Sequence, residues 1–125
     1  AGRAAAPRAA ARAPHAAQLT GEYWTRLTTA ERQIYLNGFL AGAAAEQARA
    51  TAAAAGREGD SAAVSSAAIA ALRAGHALHF PFAPPVYSSQ VDDFYWWADH
   101  RATPIVDAMI FFNAEMLKQQ ARAKP

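Results

Sequence analysis

The stretch from Thr28 to Ala55, TTAERQIYLNGFLAGAAAEQARATAAAA, decides the fold of this 125-residue chain. It opens with Thr28 three residues before Glu31, the capping-box spacing, in which side chain and backbone satisfy each other's donors at a helix start. Apolar residues then recur at helical intervals, and alanine-rich sequence follows. Gly56 suits a helix C-cap, where glycine accepts the left-handed conformation. We therefore predict one long helix over this stretch.

Two glycines of this helix, Gly38 and Gly42, lie four residues apart on one face. An interior glycine costs a helix about 1 kcal/mol relative to alanine. We therefore expect the close approach of another backbone as compensation. A membrane-dimer motif is the wrong interpretation, because the same helix carries charged residues. These are Glu31, Arg32, Glu46 and Arg49.

Shorter helical segments are predicted on both sides of the long helix. They are a short amphipathic turn with Tyr23, Trp24 and Leu27, a second helix from Asp60 or Ser61 to Gly75, a third from Ser89 to about Asp99, and a fourth beginning at Thr103-Pro104 and ending in Arg122 and Lys124. The prolines in the connector from His76 to Tyr87 favour extended backbone there. No segment alternates with the period of a strand. The sequence predicts an all-α, compact bundle of about four helices with a long proline-containing connector.

Four consecutive aromatic residues, Phe94-Tyr95-Trp96-Trp97, are the most informative feature for function. In a helix their side chains spread over roughly 300° of the circumference, which is wider than an ordinary apolar stripe. We predict that Phe94 and Trp97 pack inward, that Tyr95 is lateral and that Trp96 faces outward. Phe111 is likewise off the apolar stripe of the fourth helix. Surplus aromatic rings favour a docking surface.

Charge is unevenly distributed along the chain. Residues 1–17 carry three arginines and no acid, and the remainder has nine basic and ten acidic residues. The near-neutral body argues against a folded nucleic-acid-binding face. Residues 1–17 also lack large apolar side chains, so they are predicted to form an irregular basic arm or spacer before a single helical domain over 18–125. The arginines of the arm are Arg3, Arg8 and Arg12.

Motifs that carry chemistry are missing from the sequence. There is no cysteine, Gly-x-Ser-x-Gly elbow or phosphate-binding glycine loop. His76 and His79 have a metal-ligand spacing but no obvious third ligand. Asp92 and Asp93 are placed in the first turn of the third helix, where the helix dipole favours carboxylates. We predict no catalytic residues, no cofactor and no metal.

The sequence resembles a known group of proteins in two blocks. The first block reads W-x2-L-x4-R-x2-Y-x2-G-F-x2-G, and the second contains Asp93-Phe94-Tyr95 followed by Arg101 and Ile105. Small exported α-helical domains of bacteria, most without an assigned reaction, share these features. The first block consists of Trp24, Leu27, Arg32, Tyr35, Gly38-Phe39 and Gly42. The resemblance covers about three-quarters of the chain and implies a periplasmic helical module.

The predicted function is that of a non-catalytic accessory subunit docked on a larger assembly. The expected host is a periplasm-facing membrane complex, of the electron-transfer or photosynthetic kind. The Ala1-Gly2 start before an Ala/Pro/Arg spacer predicts export after signal-peptide removal. No uninterrupted apolar run is long enough for a membrane span of its own. The predicted partner-binding residues are Trp96, Tyr95, Phe111, Arg101, Arg3, Arg8 and Arg12.

Three alternatives to this function remain open. The first is a small-molecule or peptide-binding module, with the loop over 80–87 as a lip above a pocket lined by Phe82, Tyr87 and Trp97. The second is a hydrolase with Asp99 or Glu115 as general acid, which requires two carboxylates facing each other across a cleft. The third is an inhibitor or immunity-type protein, whose partner is an enzyme.

Overall fold

A computed structural model describes residues 15–75 and 79–124. Within these ranges the chain forms five α-helices, two 3-10 turns and no strand. The helices are α1 (Gly21–Arg26), α2 (Thr29–Ala54), α3 (Ser61–Ala74), α4 (Pro84–Tyr95) and α5 (Ile105–Ala123). The 3-10 turns are Ala16–Gln18 and Ala98–His100. The predicted all-α bundle of four main helices is confirmed, with α1 as the short turn before the long helix.

The first turn of α2 is held by the predicted capping box. The Thr28 hydroxyl accepts a hydrogen bond from the Glu31 amide at 3.2 Å, and the Thr28 amide donates to Glu31 Oε1 at 2.9 Å. These bonds favour the ionised carboxylate and lower the pKa of Glu31. At the other end, α2 stops at Ala54 and Gly56 takes a left-handed φ of 71°. The local sequence is therefore sufficient to set both ends of the longest helix.

The helix α3 also has the ends predicted for it. The Asp60 carboxylate accepts a hydrogen bond from the Ala63 amide at 3.0 Å and caps the first turn. Gly75 ends the helix with a φ of 72°. This φ is unfavourable for residues with a Cβ. Together α2 and α3 form an antiparallel helical hairpin.

Two hydrophobic clusters divide α2 into halves. The first half packs with α1, α4 and α5 around large side chains, which we call the aromatic core. Its buried members are Trp24, Leu36, Leu40, Tyr87, Val91, Tyr95, Ile105, Ala108 and Met109. The second half packs against α3 and the Phe80 ring, through Ala44, Ala48 and Ala68. We call this second half with α3 the alanine hairpin.

The segment before α1 pairs with the segment before α5 in a short arrangement that we call the clasp. The Ile105 amide donates to the Leu19 carbonyl at 2.8 Å, and the Gly21 amide donates to the Thr103 carbonyl at 3.2 Å. Thr20 and Pro104 form the isolated bridge between these bonds. Of the predicted arm, residues 1–14 lie outside the described residues.

Close backbone approach occurs at a different glycine from those predicted. A Cβ on Gly38 or Gly42 would have no neighbour within 4 Å, so the expectation of a close contact there is wrong. At Gly21 a Cβ would collide with the Tyr95 ring and lie 2.8 Å from the Arg101 Cα. Glycine is therefore required at Gly21, where the clasp presses α1 onto the end of α4.

The helix α4 begins five residues before the predicted start. Pro84 and Pro85 occupy its first two positions, where the backbone amides have no partner within the helix and proline is accepted. The prediction of an extended connector as far as Tyr87 is therefore wrong from Pro84 onward. Ser89 lies inside the helix, and its capping-box spacing to Asp92 has no capping role.

Both aspartates predicted for a first helical turn lie in the last turns of α4 instead. Asp92 and Asp93 precede the helix end at Tyr95, so the placement by helix dipole is wrong. The next helix, α5, begins at Ile105 with Pro104 as its N-cap, one residue later than predicted. Apolar residues recur at helical spacing along this helix, and Ile105, Ala108 and Met109 of that stripe are buried.

Candidate docking surface at the end of α4

An interaction of Trp24, Arg32 and Asp92 fixes α1 and α2 to the last turns of α4. The Trp24 indole donates to Asp92 Oδ1 at 2.8 Å, and Arg32 Nη1 donates to the same oxygen at 3.1 Å. Arg32 Nε also donates to the Trp24 carbonyl at 3.1 Å, and its guanidinium lies 5.4 Å from the indole centroid. Asp92 is thus stabilised at an unfavourable helix end by two donors. The Trp and Arg of the first sequence block have a structural role here.

Arg101 caps the carboxyl end of α4. Its Nε donates to the Tyr95 carbonyl at 3.0 Å, and Nη2 lies 3.4 Å from the Trp96 carbonyl. A cation at this position also complements the helix dipole. Arg101 was predicted to bind a partner, yet its half-buried side chain directs two donors at backbone carbonyls. We assign it to positioning the end of the helix.

Tyr95 belongs to the aromatic core, which corrects its predicted lateral position. Its ring is buried one helical turn after Val91 and two after Tyr87, along a single stripe of α4. Its hydroxyl donates to the Thr103 carbonyl at 2.7 Å. Burial raises the pKa of Tyr95 above its ordinary value. A buried ring cannot present itself to a partner, so Tyr95 is removed from the candidate surface.

The two tryptophans that follow are the most exposed aromatic residues of the described chain. Trp96 is 77% exposed, which confirms its predicted outward position, and Trp97 is 61% exposed. The inward packing predicted for Trp97 is wrong, because the helix ends at Tyr95 and Trp97 has extended backbone angles. We call Trp96 and Trp97 the indole surface.

The inward position expected for Trp97 is filled by other rings around Phe94. The His100 imidazole stacks on Phe94 with centroids 4.3 Å apart, and His100 Nδ1 lies 2.8 Å from the Phe94 carbonyl. Phe112 meets the same ring edge-on at 5.5 Å. Phe94 is therefore packed as predicted, and Trp97 has no room beside it.

A groove of about 320 Å³ lies beside Trp96, between α1 and α4. Arg32, Asp92 and Arg101 contribute to its walls. Each of these charged groups already binds a protein group, as described above. The groove therefore offers an indole edge and polar rims.

Phe111 provides a second exposed apolar site, on α5. It is 53% exposed and adjacent to Ile110, which is 54% exposed. Its ring contacts Phe112 edge-on at 5.1 Å and is thereby held against the core. Phe111 thus lies off the apolar stripe, as predicted. The arm residues Arg3, Arg8 and Arg12 lie outside the described residues.

The pocket predicted beneath the proline loop does not form from the expected residues. Tyr87 is in the first turn of α4 and Trp97 follows its last turn, about 15 Å further along the helix. Phe82 and Tyr87 instead pack on each other, with centroids 6.0 Å apart. An apolar groove of about 450 Å³ lies on the other side of the loop. It is lined by Asn37, Leu40, Leu72, Phe80, Phe82 and neighbouring loop residues.

A buried polar link, which sequence reasoning missed, anchors this loop. The Tyr87 hydroxyl donates to Asn113 Oδ1 at 2.7 Å and accepts a 3.4 Å bond from the Phe82 amide. Asn113 Nδ2 donates to the His79 carbonyl. Burial raises the pKa of Tyr87 to about 12. The available signal was Asn113 itself, a polar residue four positions after Met109 on the apolar stripe of α5.

The groups considered for catalysis or metal binding are dispersed in the described part of the chain. Asp99 is exposed in a 3-10 turn, and Glu115 lies 3.4 Å from Lys118 on α5. The described residues contain no group of three or more His, Asp or Glu side chains placed to hold a metal ion. His76 lies outside them. None of the described helices combines the length and apolar character needed to cross a membrane.

Four residues of the two sequence blocks therefore act together in building the end of α4. They are Trp24, Arg32, Tyr95 and Arg101. The exposed tryptophans stand on this support but are not part of the blocks. Comparison with protein-family models, with curated proteins and with solved structures gives no significant match to this chain.

Proposed function

We propose that the protein is a non-catalytic accessory subunit that docks on a larger assembly through the indole surface. The observation that carries the proposal is the exposure of Trp96 and Trp97, side by side, at a helix end held by Arg101. Trp is one of the residue types enriched among interface hot spots. Phe111 extends the candidate contact area on α5.

Hydrogen bonds beneath the indole surface hold its backbone in place, which favours binding of a partner. Asp92 and Arg101 each make two hydrogen bonds that hold the last turns of α4. A partner then meets rings on a preorganised backbone and loses less conformational entropy on binding. Covering each indole contributes roughly 1.5–3 kcal/mol from apolar burial. Two indoles can thus supply a substantial part of a micromolar affinity.

The setting of the assembly belongs to the same proposal. We place it on the periplasmic side of a membrane, with the subunit peripheral to a membrane complex and the basic arm contributing to contact. The resemblance to exported helical domains and the surplus aromatic residues support this setting. The partner complex is to be identified by isolation from the native membrane.

Affinity isolation of the tagged full chain from membranes in mild detergent, and separately from the soluble fraction, tests the proposal. We expect stoichiometric recovery of a membrane complex with the wild-type protein. The double variant W96A/W97A should lose this recovery, and F111A should weaken it. Both changes remove exposed side chains, so the far-UV circular dichroism and unfolding midpoint should be retained.

Ile34→Ala is the matched control, because Ile34 is 70% exposed on α2 and belongs to neither candidate site. It should be recovered with the same complex as wild type. Recovery of a lone monomer in both fractions would contradict the proposal. So would recovery that W96A/W97A leaves intact.

The apolar groove of about 450 Å³ supports a second candidate function, binding of a small apolar ligand. Leu40, Leu72 and Phe80 supply most of its apolar surface, and Asn37 supplies an amide at its rim. Concave apolar sites with few polar groups are typical of ligand pockets. Titration with a medium-chain fatty acid, followed by amide chemical shifts, should perturb the groove residues selectively. Leu72→Gln should abolish the shifts, and Ile69→Gln, on the same helix, should preserve them.

A further inference from the structure

Carboxylates flank the indole surface on both sides in the sequence. Asp93 lies four residues before Trp97, and the backbone between them stays helical as far as Trp96, so Asp93 is one turn away on the same side. Asp99 lies in the 3-10 turn for which Trp97 is the N-cap. Both aspartates are exposed, as are both indoles. Aromatic faces and carboxylates are the two kinds of protein group that attract a cation.

The charge around the indole surface is negative on balance. The elements that meet there are α1, the last turns of α4, the 3-10 turn with Arg101 at its C-cap, and the first turn of α5, with Arg32 from α2. They carry five carboxylates against three guanidiniums. These are Glu22, Asp92, Asp93, Asp99 and Asp107, against Arg26, Arg32 and Arg101.

The two guanidiniums whose contacts build the end of α4 leave these flanking carboxylates unpaired. Arg101 donates to the backbone carbonyl of Tyr95, and Arg32 donates to Asp92. Within the described part of the chain, Asp93 and Asp99 make no side-chain hydrogen bond and no ion pair. Their oxygens are therefore available to a cation that approaches the indole surface from outside.

The alanine hairpin offers neither of the two features. Glu46 and Glu58 both pair with Arg49, and Asp60 pairs with Arg57, so these carboxylates already have cationic neighbours. The sequence over 44–74 contains no aromatic residue. Of the two regions, only the end of α4 combines exposed rings with unpaired acids. A cationic segment will therefore prefer that end.

Arginine suits this combination better than lysine does. A guanidinium is planar, stacks on an aromatic face and still presents N–H donors at its edge to a carboxylate. In an extended segment, arginines two positions apart point to the same side and are about 7 Å apart. Such a segment can place one guanidinium at each of two neighbouring indoles. Anionic lipid headgroups, in contrast, are repelled by unpaired carboxylates.

We propose that the segment that covers the indole surface is cationic, an extended stretch of the partner whose arginines stack on Trp96 and Trp97 and pair with Asp93 and Asp99. This inference rests on the proposed function, because it names the chemistry of the partner that docks at that site. Stacking and ion pairing add to the apolar burial. The unpaired carboxylates also select against acidic segments, which they repel.

Titration of the nitrogen-15-labelled full chain with short peptides tests this chemistry without the native partner. The probes are acetyl-GRGRG-amide and the same peptide with citrulline, which keeps the shape of arginine and removes its charge. The readout is the indole N–H peaks, assigned with W96F and W97F, with buried Trp24 as the internal control. The arginine peptide should shift the peaks of Trp96 and Trp97 and leave that of Trp24 in place. The citrulline peptide should bind roughly tenfold more weakly.

Variants of the flanking acids test which residues meet the peptide. D93N/D99N removes two exposed carboxylates without a described partner, and it should weaken binding of the arginine peptide about fivefold. The control E46Q/E58Q removes the same charge from exposed positions of the alanine hairpin and should keep the wild-type affinity. In about 1 M NaCl, where the Debye length is about 3 Å, the advantage of arginine over citrulline should shrink.

The outcomes distinguish the possible occupants. Equal binding of the arginine and citrulline peptides would overturn the proposal, as would equal weakening by E46Q/E58Q and D93N/D99N. Tighter binding of acetyl-GEGEG-amide would also overturn it and would assign the site to the groove lined by Arg32 and Arg101. Indole shifts with phosphatidylglycerol vesicles that exceed those with the arginine peptide would overturn it in favour of a membrane surface.

Affinity isolation of the native complex separates failure of this inference from failure of the proposed function. If W96A/W97A loses the complex and D93N/D99N retains it, docking through the indoles stands and the cationic partner is rejected. Loss of the complex in both variants, with E46Q/E58Q recovered as wild type, supports the inference. Recovery of a lone monomer from wild type would contradict the proposed function and, with it, the cationic partner.

Discussion

Along α2, Leu36 and Leu40 face a core of aromatic rings, whereas Ala44 and Ala48 face a second alanine-rich helix. The aromatic core joins four helices through large side chains and directed hydrogen bonds. The alanine hairpin joins two helices through methyl groups, with its charges paired on the outside. The comparison shows that one continuous helix can be anchored firmly at one end and lightly at the other. Opening free energies should therefore fall from the first half of α2 to the second.

The largest effect should come from removing the centre of the aromatic core. Trp24→Ala deletes a buried ring and leaves Asp92 without its indole donor, so we expect a loss of about 3–5 kcal/mol in the free energy of unfolding. Ala68→Gly in the alanine hairpin should cost only about 1 kcal/mol. Urea unfolding followed by circular dichroism measures both. Equal losses of unfolding free energy in the two variants would contradict the division of α2 into a firmly anchored first half and a lightly anchored second half.

Two glycine substitutions sharpen the same comparison, because they should change the free energy of unfolding in opposite directions. Gly21→Ala should destabilise the protein by roughly 1–3 kcal/mol, because the added methyl group meets the Tyr95 ring and the Arg101 backbone. Gly38→Ala should stabilise it by up to about 1 kcal/mol, because it improves helix propensity in open space. Thermal denaturation of both variants provides the measurement. A stabilising Gly21→Ala would mean that the clasp does not press on α4.

Alkaline pH should weaken the aromatic core. Burial raises the pKa of Tyr87 from 10.0 to about 12 and also raises that of Tyr95. The folded protein thus favours the neutral phenols, so their contribution to stability is complete below pH 10 and is lost as the pH rises towards 12. Urea midpoints measured across this range should fall in step with phenolate absorbance. Tyr87→Phe should reduce this dependence, whereas Tyr23→Phe on the exposed face of α1 should preserve it.

Acid should weaken the alanine hairpin by a smaller amount. Arg49 lowers the pKa of Glu46, and the Ala63 amide, followed by Arg57, lowers that of Asp60. Stability from these carboxylates is present above their unfolded pKa values near 4 and is lost as the pH falls through the lower folded values. Thermal midpoints at about pH 6 and pH 3 should differ less in E46Q/D60N than in wild type. The control Glu22→Gln should behave as wild type, and the opposite ranking would refute the assignment.

How far the sequence predicts this molecule depends on how local the decisive contacts are. The ends of α2 and α3 depend on side chains within a few residues, so Thr28, Asp60 and Gly75 predicted them correctly. The end of α4 depends on Arg101, which reaches back over six residues from another element. Where α4 ends decides whether the Trp97 side chain is buried or exposed. Helical spacing alone predicts that it is buried, which is wrong.

The candidate surface was predictable in part for the same reason. The surplus of rings at 94–97 correctly indicated exposed aromatic residues, and Trp96 was placed correctly. Tyr95 is buried because aromatic residues suit cores as well as interfaces, whereas the role of Arg101 in partner binding stays a prediction beside its role as a helix cap. No local pattern marks Gly21, since glycine is required there only because two segments eighty residues apart meet.

The clasp also constrains the order of assembly during synthesis. Its bonds join residues 19–22 to residues 101–105, so α1 cannot be fixed until almost the whole chain has left the ribosome. The contacts between the second half of α2 and α3 join residues that are close in sequence, so the alanine hairpin can form much earlier. The weaker part of the native protein is thus expected to be the first to acquire structure. The most stable part should form last, when the segment before α5 emerges and pairs with the segment before α1.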